Sequence, residues 1–440
     1  MIIKENGLRY AKLVHVSVDN GKTDNSNKEY IMEELPDGRI KCSYGRVGAN
    51  LTVEYKDKSK WGSVYKQKTG KSKGYEDVTE YNVTKVEVPT NVVKDDGTEA
   101  IKDSLVKKLI KELMAFANKS IQRNYKVTQE AVSEQQVNAA QDVVNQISGL
   151  IKINVDIKSI NDLLLKLYTI IPRKMDNVKN HLMNPISDKS SLERAQRLID
   201  EEQSTLDTMA GQVELIKKQK EAEEEAKKQA EGGKKKKVKE ITILDQMGIS
   251  VEVEKDKDTL ELIKKLMRPN ANQMKNVFKV VNTKTQAKFD KHMASVEVKK
   301  KRLYWHGSRN ENWFNILQTG LLIRPSGAVH TGSMFGDGIY FADKAQKSIG
   351  YTSLRGSYWA HGGDNKAFLA LFDVHLGKQK EILHHDSSCY SLSDKVLKKE
   401  GYDSVFAKGG ADLRNNEYIV YRPEQCTVSH LIEIASWKKL

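Results

Sequence analysis

The stretch LYWHGSRNENWFNILQTGL, residues 303–321, decides how the carboxyl-terminal part of the chain is interpreted. Its first three residues, 303–305, are apolar and predict a strand, and His306 and Gly307 follow without a break. A single histidine at the end of a strand is usually structural, and a histidine–glycine pair is common. Other parts of the sequence must therefore decide whether His306 has a chemical role.

Two stretches further along the chain accompany it, MFGDGIYFADKAQKSIGY at 334–351 and NNEYIVYR at 415–422. Each stretch alone is weak evidence for a functional site, since glycine turns and polar residues often precede strands. Together and in this order, the three stretches resemble the catalytic domain of the poly(ADP-ribose) polymerases, ADP-ribosyltransferases with a His-Tyr-Glu triad. His306, Tyr340 and Glu417 fall on the three triad positions.

The residue types suit the cleavage of NAD⁺, which the resemblance implies as the substrate. Breaking the bond to nicotinamide leaves positive charge on the ribose, so the site needs aromatic faces and a carboxylate aimed at that charge. The resemblance implies that Tyr340 and Tyr351 sandwich the nicotinamide ring. It also implies that the backbone of Gly307 and the hydroxyl of Ser348 bind the carboxamide, and a glycine permits that close approach.

The resemblance extends to the rest of the NAD⁺ molecule. It implies that His306 binds the adenosine ribose, and that Ser308 and Asn312 contact the adenosine and phosphate part. Glu417 is expected to bind the nicotinamide ribose and to polarise the attacking acceptor hydroxyl during chain elongation. Lys347 matches the lysine that lies beside this glutamate in the family.

Two features of the carboxyl-terminal part depart from simple patterns. The adenine-side arginine of the family falls here on Leu322, and Arg324 shares a face with that position if the segment is extended. The run LHHDSSC at 383–389 gathers possible metal ligands, but adjacent strand side chains point to opposite faces. It therefore predicts a surface turn, and no metal is expected.

The amino-terminal stretch resembles a WGR domain, the DNA-break-sensing module of DNA-dependent family members. Tyr44-Gly45-Arg46 replaces the naming motif, so a tyrosine would stack on the broken strand and the arginine would support it. Residues 39–73 hold ten Lys/Arg and two acidic residues, and four of these lysines are expected to contact phosphate: Lys66, Lys68, Lys71 and Lys73. The alternative is an ordinary sheet domain with a solvated basic face.

Residues 100–230 show helical periodicity and resemble the family's helical regulatory domain, which covers the NAD⁺ site until DNA binds. Leu105, Leu109, Leu113 and Met114 define the expected apolar face of the first helix, and the serine and glutamine at 133 and 136 have capping-box spacing. The charged insertion 217–240 contains KKKKVK, which is either a nuclear-import signal or a solvated loop.

The predicted fold is multidomain α+β. Residues 1–95 would form a small antiparallel β WGR domain, 100–230 an all-α helical bundle, and 241–440 a mixed α/β ADP-ribosyltransferase domain with split β-sheets. Within the last domain, ITIL at 241–244 predicts a strand and NVFKVV at 276–281 a helix.

Composition sets the expected class and compartment. The 440 residues are 38% hydrophobic and 30% charged, with a net charge of +14 that suits a polyanionic partner. Three cysteines without CxxC spacing, and no apolar run of 18 residues, predict a soluble intracellular protein that does not enter a membrane. The expected location is the nucleus in a eukaryote and otherwise the cytoplasm or nucleoid.

The leading hypothesis is a DNA-break-activated ADP-ribosyltransferase with a role in the DNA damage response and repair. It would build polymers on itself and on nearby proteins, and it would be monomeric away from DNA. A DNA-independent mono-ADP-ribosyltransferase and a non-catalytic DNA-binding scaffold are the alternatives. A scaffold would typically have lost a triad residue, and this sequence has all three.

Overall fold

A computed structural model describes residues 1–4, 6–18, 25–82, 97–125, 132–152, 157–186, 191, 194–195, 198–211, 213, 217, 242–323 and 334–436. They form two compact units. The first holds the described residues of Met1–Thr90 and Ser120–Ile216, and the second those of Asn91–Lys119, Lys217–Ser326 and Gly332–Leu440. Arg324 and residues 218–240 of the charged insertion lie outside the described residues, so the predictions made for them stay predictions.

The first unit contains an antiparallel sheet. Its strands are β1 (Ile2–Ile3), β2 (Arg9–Ser17), β3 (Ser26–Glu34), β4 (Arg39–Arg46), β5 (Thr52–Asp57) and β6 (Glu76–Asp77). They are ordered β1-β2-β3-β4-β5, with β6 paired to β2. Alternate residues of the three central strands point inward and pack against helix α1 (Trp61–Thr69); the buried set is Ala11, Leu13, Tyr30, Met32, Ile40, Cys42, Trp61 and Val64.

The described part of the first unit also contains helices. Helix α2 (Ser104–Tyr125) contributes its residues up to Lys119 to the second unit, and α3 (Glu134–Lys152), α4 (Ile157–Ile170) and the helical residues 198–211 belong to the first. The predicted capping box is confirmed, because Ser133 Oγ accepts from the Gln136 amide at 3.1 Å and Gln136 Oε1 accepts from the Ser133 amide at 3.0 Å.

The second unit contains two sheets. Its strands are β7 (Ile249–Val253), β8 (Met274–Asn282), β9 (Lys301–Gly307), β10 (Ile339–Phe341), β11 (Lys366–His375), β12 (Gln379–Ile382), β13 (Ser404–Ala407), β14 (Glu417–Val420) and β15 (Cys426–Ala435). The five-stranded sheet has the order β7-β8-β15-β11-β9, and the four-stranded sheet has the order β10-β14-β13-β12. Only β12 and β13 pair in parallel among these strands.

Six helices of the second unit lie within its described residues after position 242: α5 (Ile243–Met247), α6 (Lys257–Met267), α7 (Thr283–Ser295), α8 (Trp313–Thr319), α9 (Ala345–Ile349) and α10 (Asp394–Lys399). Helices α6 and α9 cover the five-stranded sheet; the shared core includes Ile263, Met267, Ala345, Ile349, Leu369, Leu371, Ile432 and Ile434. The prediction of mixed α and β structure with several sheets is confirmed. The assignment of the earlier residues to WGR and helical regulatory domains stays a prediction.

Three local predictions were wrong. Residues 242–244 of ITIL, which are the described part of that segment, do not form a strand, because Thr242 caps helix α5 through a reciprocal pair of hydrogen bonds with Asp245. NVFKVV does not form a helix but lies in β8, where its β-branched residues pack between β7 and β15. On α2, Leu109 and Leu113 of the predicted apolar face are buried, together with Val106, Ile110 and Ala117, but Leu105 is 42% exposed.

Candidate active site

Strands β9 and β10 bring His306 and Tyr340 together. Trp305 exchanges two backbone hydrogen bonds with Ala342, at 2.8 and 2.9 Å, which joins the edges of the two sheets. The Nδ1 atom of His306 lies 3.0 Å from the carbonyl oxygen of Tyr340. A carbonyl oxygen can only accept, so Nδ1 carries the hydrogen.

The His306 ring is a neutral hydrogen-bond acceptor at its other nitrogen. Burial lowers the pKa of His306, and the rings of Trp313, Phe341 and Phe372 surround it at centroid distances of 5.9–6.4 Å. With Nδ1 donating to the backbone, the lone pair of Nε2 is available. His306 can therefore accept a hydrogen bond from a hydroxyl group such as that of a ribose.

The hydroxyl of Tyr340 is fully engaged by nearby backbone. It donates to the carbonyl of Gly336 at 2.8 Å and accepts from the amide of Phe335 at 3.0 Å. Burial raises the pKa of Tyr340, and the carboxylate of Glu417 raises it further. The hydroxyl thus serves to fix the ring, and the ring face remains the part of this side chain that can bind a ligand.

Sheet register places Glu417 beside Tyr340. Tyr340 pairs with Ile419 across β10 and β14, and Glu417 shares the face of Ile419 because it lies two residues away on the same strand. Glu417 is only 7% exposed. One of its carboxylate oxygens, Oε1, accepts from the ammonium group of Lys347 on α9, which also reaches the carbonyl of Asn416 at 3.3 Å.

The second carboxylate oxygen of Glu417 has no partner. Oε2 is buried, and no atom of the described residues hydrogen-bonds to it. A buried carboxylate oxygen without a partner is costly, which marks the position where a hydroxyl of a bound molecule fits. Burial lowers the pKa of Lys347 and the adjacent Glu417 raises it, with a net decrease.

Gly307 is required by the protein's own backbone. A Cβ atom at position 307 would lie 1.9 Å from the carbonyl oxygen of Ser348 and 2.7 Å from its carbonyl carbon. No side chain fits in that space, so β9 and α9 approach one another only with a glycine here. This contact places Ser348, which is buried, next to the end of the strand that carries His306.

Tyr351 completes the aromatic part of the site, and the sequence analysis missed its neighbour. The rings of Tyr351 and Trp359 are nearly parallel, at 19° and a centroid distance of 6.1 Å. Burial raises the pKa of Tyr351, and Glu417 contributes to that increase. The backbone amide of Trp359 donates to the carbonyl of Gly350 at 2.9 Å, which fixes the backbone at this position, and Trp359 is 57% exposed. The only signal for it in the sequence is the aromatic pair Tyr358-Trp359.

Seven predicted residues therefore form one connected cluster: His306, Gly307, Tyr340, Lys347, Ser348, Tyr351 and Glu417. Ser308 and Asn312 bond to each other, with Asn312 Nδ2 donating to Ser308 Oγ at 3.0 Å. No metal-binding group of three or more His, Cys, Asp or Glu side chains occurs within the described ranges. In LHHDSSC, His385 bonds instead to the carbonyl of Met334 at 2.8 Å.

The residues predicted to contact DNA lie in the first unit. The Tyr44 ring, on β4, stacks on Tyr30 at 5.4 Å and 18°. The adjacent Gly45 belongs to the same strand. The guanidinium of Arg46 donates to the carbonyls of Asn25, Met175 and Asp176, at 2.7–3.2 Å, and so ties the sheet to the chain that follows α4.

The four predicted phosphate-binding lysines differ in their surroundings. Lys66, Lys71 and Lys73 are exposed. The ammonium group of Lys68 lies over three tyrosine rings, 3.9 Å from the centroid of Tyr30, 5.7 Å from that of Tyr44 and 5.6 Å from that of Tyr75. Burial lowers the pKa of Lys68, as does the charge of Lys73. Lys68 therefore belongs to an aromatic cage rather than to the open basic surface.

Comparison with known proteins assigns the chain to a family. The family model of the poly(ADP-ribose) polymerase catalytic domain matches residues 257–436. A poly(ADP-ribose) polymerase-like protein, 100L of Invertebrate iridescent virus 6, is 34% identical over 166 residues, which are 37% of this chain and 87% of that protein. This chain belongs to the poly(ADP-ribose) polymerase family.

Cellular members of the family are also similar. Poly(ADP-ribose) polymerase 2 of Arabidopsis thaliana is 35% identical over 159 residues, 31% of this chain and 24% of that protein. The Homo sapiens protein of the same name is 35% identical over 157 residues, 30% of this chain and 26% of that protein. The matched part of the chain thus spans about a quarter of these two relatives.

The family assignment fixes the chemistry of the second unit. As a poly(ADP-ribose) polymerase catalytic domain, residues 257–436 carry ADP-ribosyltransferase chemistry with NAD⁺ as the substrate. The buried, unpartnered oxygen of Glu417 and the acceptor nitrogen of His306 fit the ribose hydroxyls of such a substrate. Among the described residues no helix is long and apolar enough to cross a membrane.

Proposed function

We propose that this chain is a DNA-break-activated poly(ADP-ribose) polymerase that modifies itself and nearby proteins and acts in the DNA damage response. The observation that carries the catalytic part is Glu417, whose carboxylate is buried, held by Lys347 at one oxygen and unpartnered at the other. The structure supports this role because a carboxylate buried in that state is costly unless a ligand binds it.

Each residue of the cluster has a task in this proposal. NAD⁺ supplies a cationic nicotinamide leaving group, and the rings of Tyr340 and Tyr351 would hold it between them. The backbone of Gly307 and the hydroxyl of Ser348 would bind its carboxamide. His306 accepts a hydrogen bond from the adenosine ribose through Nε2, and Ser308 and Asn312 contact the adenosine and phosphate part. Arg324 completes the adenine side.

Glu417 would act at both stages of the reaction. Its Oε2 accepts a hydrogen bond from a hydroxyl of the nicotinamide ribose and places negative charge where positive charge develops as the leaving group departs. The same oxygen orients and polarises the incoming acceptor hydroxyl, which is the step that chain elongation needs. Lys347 holds the carboxylate in place, because its ammonium group binds both Oε1 of Glu417 and the Asn416 carbonyl.

The proposal also includes activation by DNA. Tyr44 would stack on the end of a broken strand, and Lys66, Lys71 and Lys73 would contact phosphate. Support comes from Arg46, two residues from Tyr44, whose guanidinium donates to the carbonyl of Asn25, just before β3, and to carbonyls of the chain after α4. A DNA end bound at Tyr44 would therefore act on the helices through Arg46 in this WGR-like module.

Helix α2 provides a second contact relevant to activation, within the second unit. Lys366, the first residue of β11, contacts both oxygens of Glu112 on α2 at 3.0 Å and one oxygen of Glu433 on β15 at 2.9 Å. In the proposal this ion pair holds a regulatory helix on the catalytic strands, and DNA binding releases it. Nuclear location in a eukaryotic source belongs to the same proposal.

One experiment separates the possibilities. The purified full chain is incubated with labelled NAD⁺, with and without nicked or blunt DNA, and the products are resolved by chain length on a gel. Long DNA-dependent products support the proposal. If no protein is labelled in either condition, the proposed enzymatic activity is wrong. Equal labelling with and without DNA contradicts activation by DNA. Products that carry single ADP-ribose units indicate a mono-ADP-ribosyltransferase.

A further inference from the structure

The three residues Met334, Phe335 and Gly336 lead to Tyr340, and side chains from separate elements hold their backbone. The amide of Phe335 donates to the Tyr340 hydroxyl, which itself donates to the carbonyl of Gly336. The hydroxyl of Tyr421, just after β14, donates to the carbonyl of Phe335. The orientation of the Tyr340 ring therefore depends on where this backbone segment lies.

His385 holds the first residue of the same segment. Its Nε2 atom lies 2.8 Å from the carbonyl oxygen of Met334, and because that oxygen only accepts, Nε2 carries the hydrogen. The imidazole is fixed by edge-on contacts with the rings of Phe335 and Tyr390, at 5.6 and 4.7 Å. Its own backbone amide donates to a carboxylate oxygen of Asp412 at 2.6 Å.

Leu392 packs closely against Gly336, at the other end of the segment Met334–Gly336. Gly336 has a φ of +74°, and a Cβ atom there would lie 2.1 Å from the carbonyl oxygen of Leu392. Residues 385–392 thus contact the segment at Met334 and again at Gly336. The chain after β12 and the backbone that orients Tyr340 are one packed assembly.

We propose that His385 is a positioning residue for the nicotinamide side of the active site, acting through Met334–Gly336 on the ring of Tyr340. The inference rests on the proposed function, because it takes the Tyr340 ring as one wall of the NAD⁺ site. It gives a role to a residue that sequence patterns place in a surface turn. Its neighbour shows the contrast, since the side chain of His384 is 73% exposed.

The inferred role depends on one hydrogen bond, which determines the choice of substitutions. A glutamine side chain would retain a donor at the position of Nε2, so His385→Gln preserves the bond to Met334. His385→Leu preserves much of the packing on Phe335 and Tyr390 but removes the donor. His385→Asn has an amide too short to reach the carbonyl, and it is a second loss variant should the leucine variant fail to fold.

The test measures kcat and KM for NAD⁺ in the full-length chain, and the thermal-unfolding shift that added NAD⁺ produces. His384→Leu, at the adjacent exposed position, is the matched control. Loss of a hydrogen bond of ordinary strength predicts a KM raised about 3- to 10-fold in His385→Leu and His385→Asn, with a smaller change in kcat. His385→Gln and His384→Leu should stay within about 2-fold of the wild type.

The outcomes distinguish this inference from the function on which it rests. A wild type that neither labels protein from NAD⁺ nor gains thermal stability from it overturns the proposed function and this role with it. An active wild type with an unchanged KM in both loss variants overturns only the role of His385. A glutamine variant as impaired as the leucine variant shows that packing, not the hydrogen bond, was the contribution, and so overturns the role as proposed.

Discussion

The ammonium group of Lys347 lies against one carboxylate oxygen of Glu417, and the other oxygen is buried with no hydrogen-bond partner in the described part of the chain. The two residues come from separate elements, α9 and β14, which sequence places 70 positions apart. Their contact fixes a negative charge beside the rings of Tyr340 and Tyr351. The first two predictions concern this pair.

Glu417→Gln should abolish chain elongation and lower total ADP-ribose transfer by about 100-fold or more, since it removes the charge that a developing cation requires. The amide keeps the size of the side chain but removes the carboxylate that binds the buried ammonium of Lys347. Product length on a gel and initial labelling rates measure the effect. Glu381→Gln, at an exposed glutamate paired with Lys408, is the control. Persistence of long chains in Glu417→Gln would contradict the assigned role.

Lys347 should set the alkaline limit of activity. Burial lowers the pKa of this lysine below its ordinary value, so the ammonium that holds Glu417 is lost as pH rises through that lowered pKa. We expect the alkaline limb of kcat/KM to lie below the ordinary lysine pKa of about 10.4. Lys347→Arg should move this limb upward, because a guanidinium stays protonated. If kcat/KM declines at the same alkaline pH in the wild type and in Lys347→Arg, a group other than Lys347 causes the decline.

Trp359→Ala should raise the KM for NAD⁺ about 2- to 10-fold, which corresponds to the loss of one aromatic contact on Tyr351. Trp359→Phe keeps a parallel ring and should restore most of the affinity. Leu262→Ala is the control, because Leu262 is an exposed residue of α6. Equal KM values for the wild type and Trp359→Ala would mean that Tyr351 needs no support.

The lysines of the first unit should separate into two groups in DNA binding. Substituting Lys66, Lys71 and Lys73 together by glutamine should reduce the slope of log affinity against log salt by about 0.9 for each phosphate that is no longer neutralised. Lys68→Gln should leave the slope unchanged, because its ammonium lies over tyrosine rings. Fluorescence anisotropy with a DNA hairpin measures both. A slope change in Lys68→Gln would show that Lys68 contacts phosphate when DNA is bound.

Acid should destabilise the second unit through a buried histidine pair. His375 donates from Nε2 to the carbonyl of Val298, so in the neutral tautomer its Nδ1 accepts from Nε2 of His292, at 2.9 Å. Burial lowers the pKa of His292, and His375 lowers it further. The remaining charged groups that influence it are Arg422, which lowers the pKa, and Glu424 and Asp403, which raise it.

The sign of this effect follows from proton linkage. The unfolded chain binds a proton at His292 below about pH 6.5, whereas the folded chain binds it only at a lower pH. Stability therefore falls as pH decreases from about 6.5 towards the folded pKa, by at most about 1.4 kcal/mol per pH unit for one proton. Melting temperature against pH measures it. His292→Gln keeps the donor without titrating and should show a shallower decline, whereas His384→Gln should match the wild type.

The residues of the candidate active site could be named from the sequence because they occur in compact local patterns. His306 and Gly307 end one strand, Tyr340 lies in the next, and Glu417 opens a third, so each is marked by a strand signal beside it. Where an apolar pattern is compatible with both a helix and a strand, the sequence did not predict the secondary structure correctly. NVFKVV became a strand because two neighbouring strands bond to it, and no local feature of those six residues specifies that pairing.

The sequence by itself predicted which residues would carry the chemistry: His306, Tyr340 and Glu417, with Lys347 and Tyr351 near them. Only the tertiary structure decided which of their atoms are available to a ligand. The unpartnered oxygen of Glu417, the acceptor nitrogen of His306 and the caged ammonium of Lys68 all depend on contacts between residues far apart in the chain. Burial and hydrogen-bond direction arise from such long-range contacts, whereas residue type and local spacing are already present in the sequence.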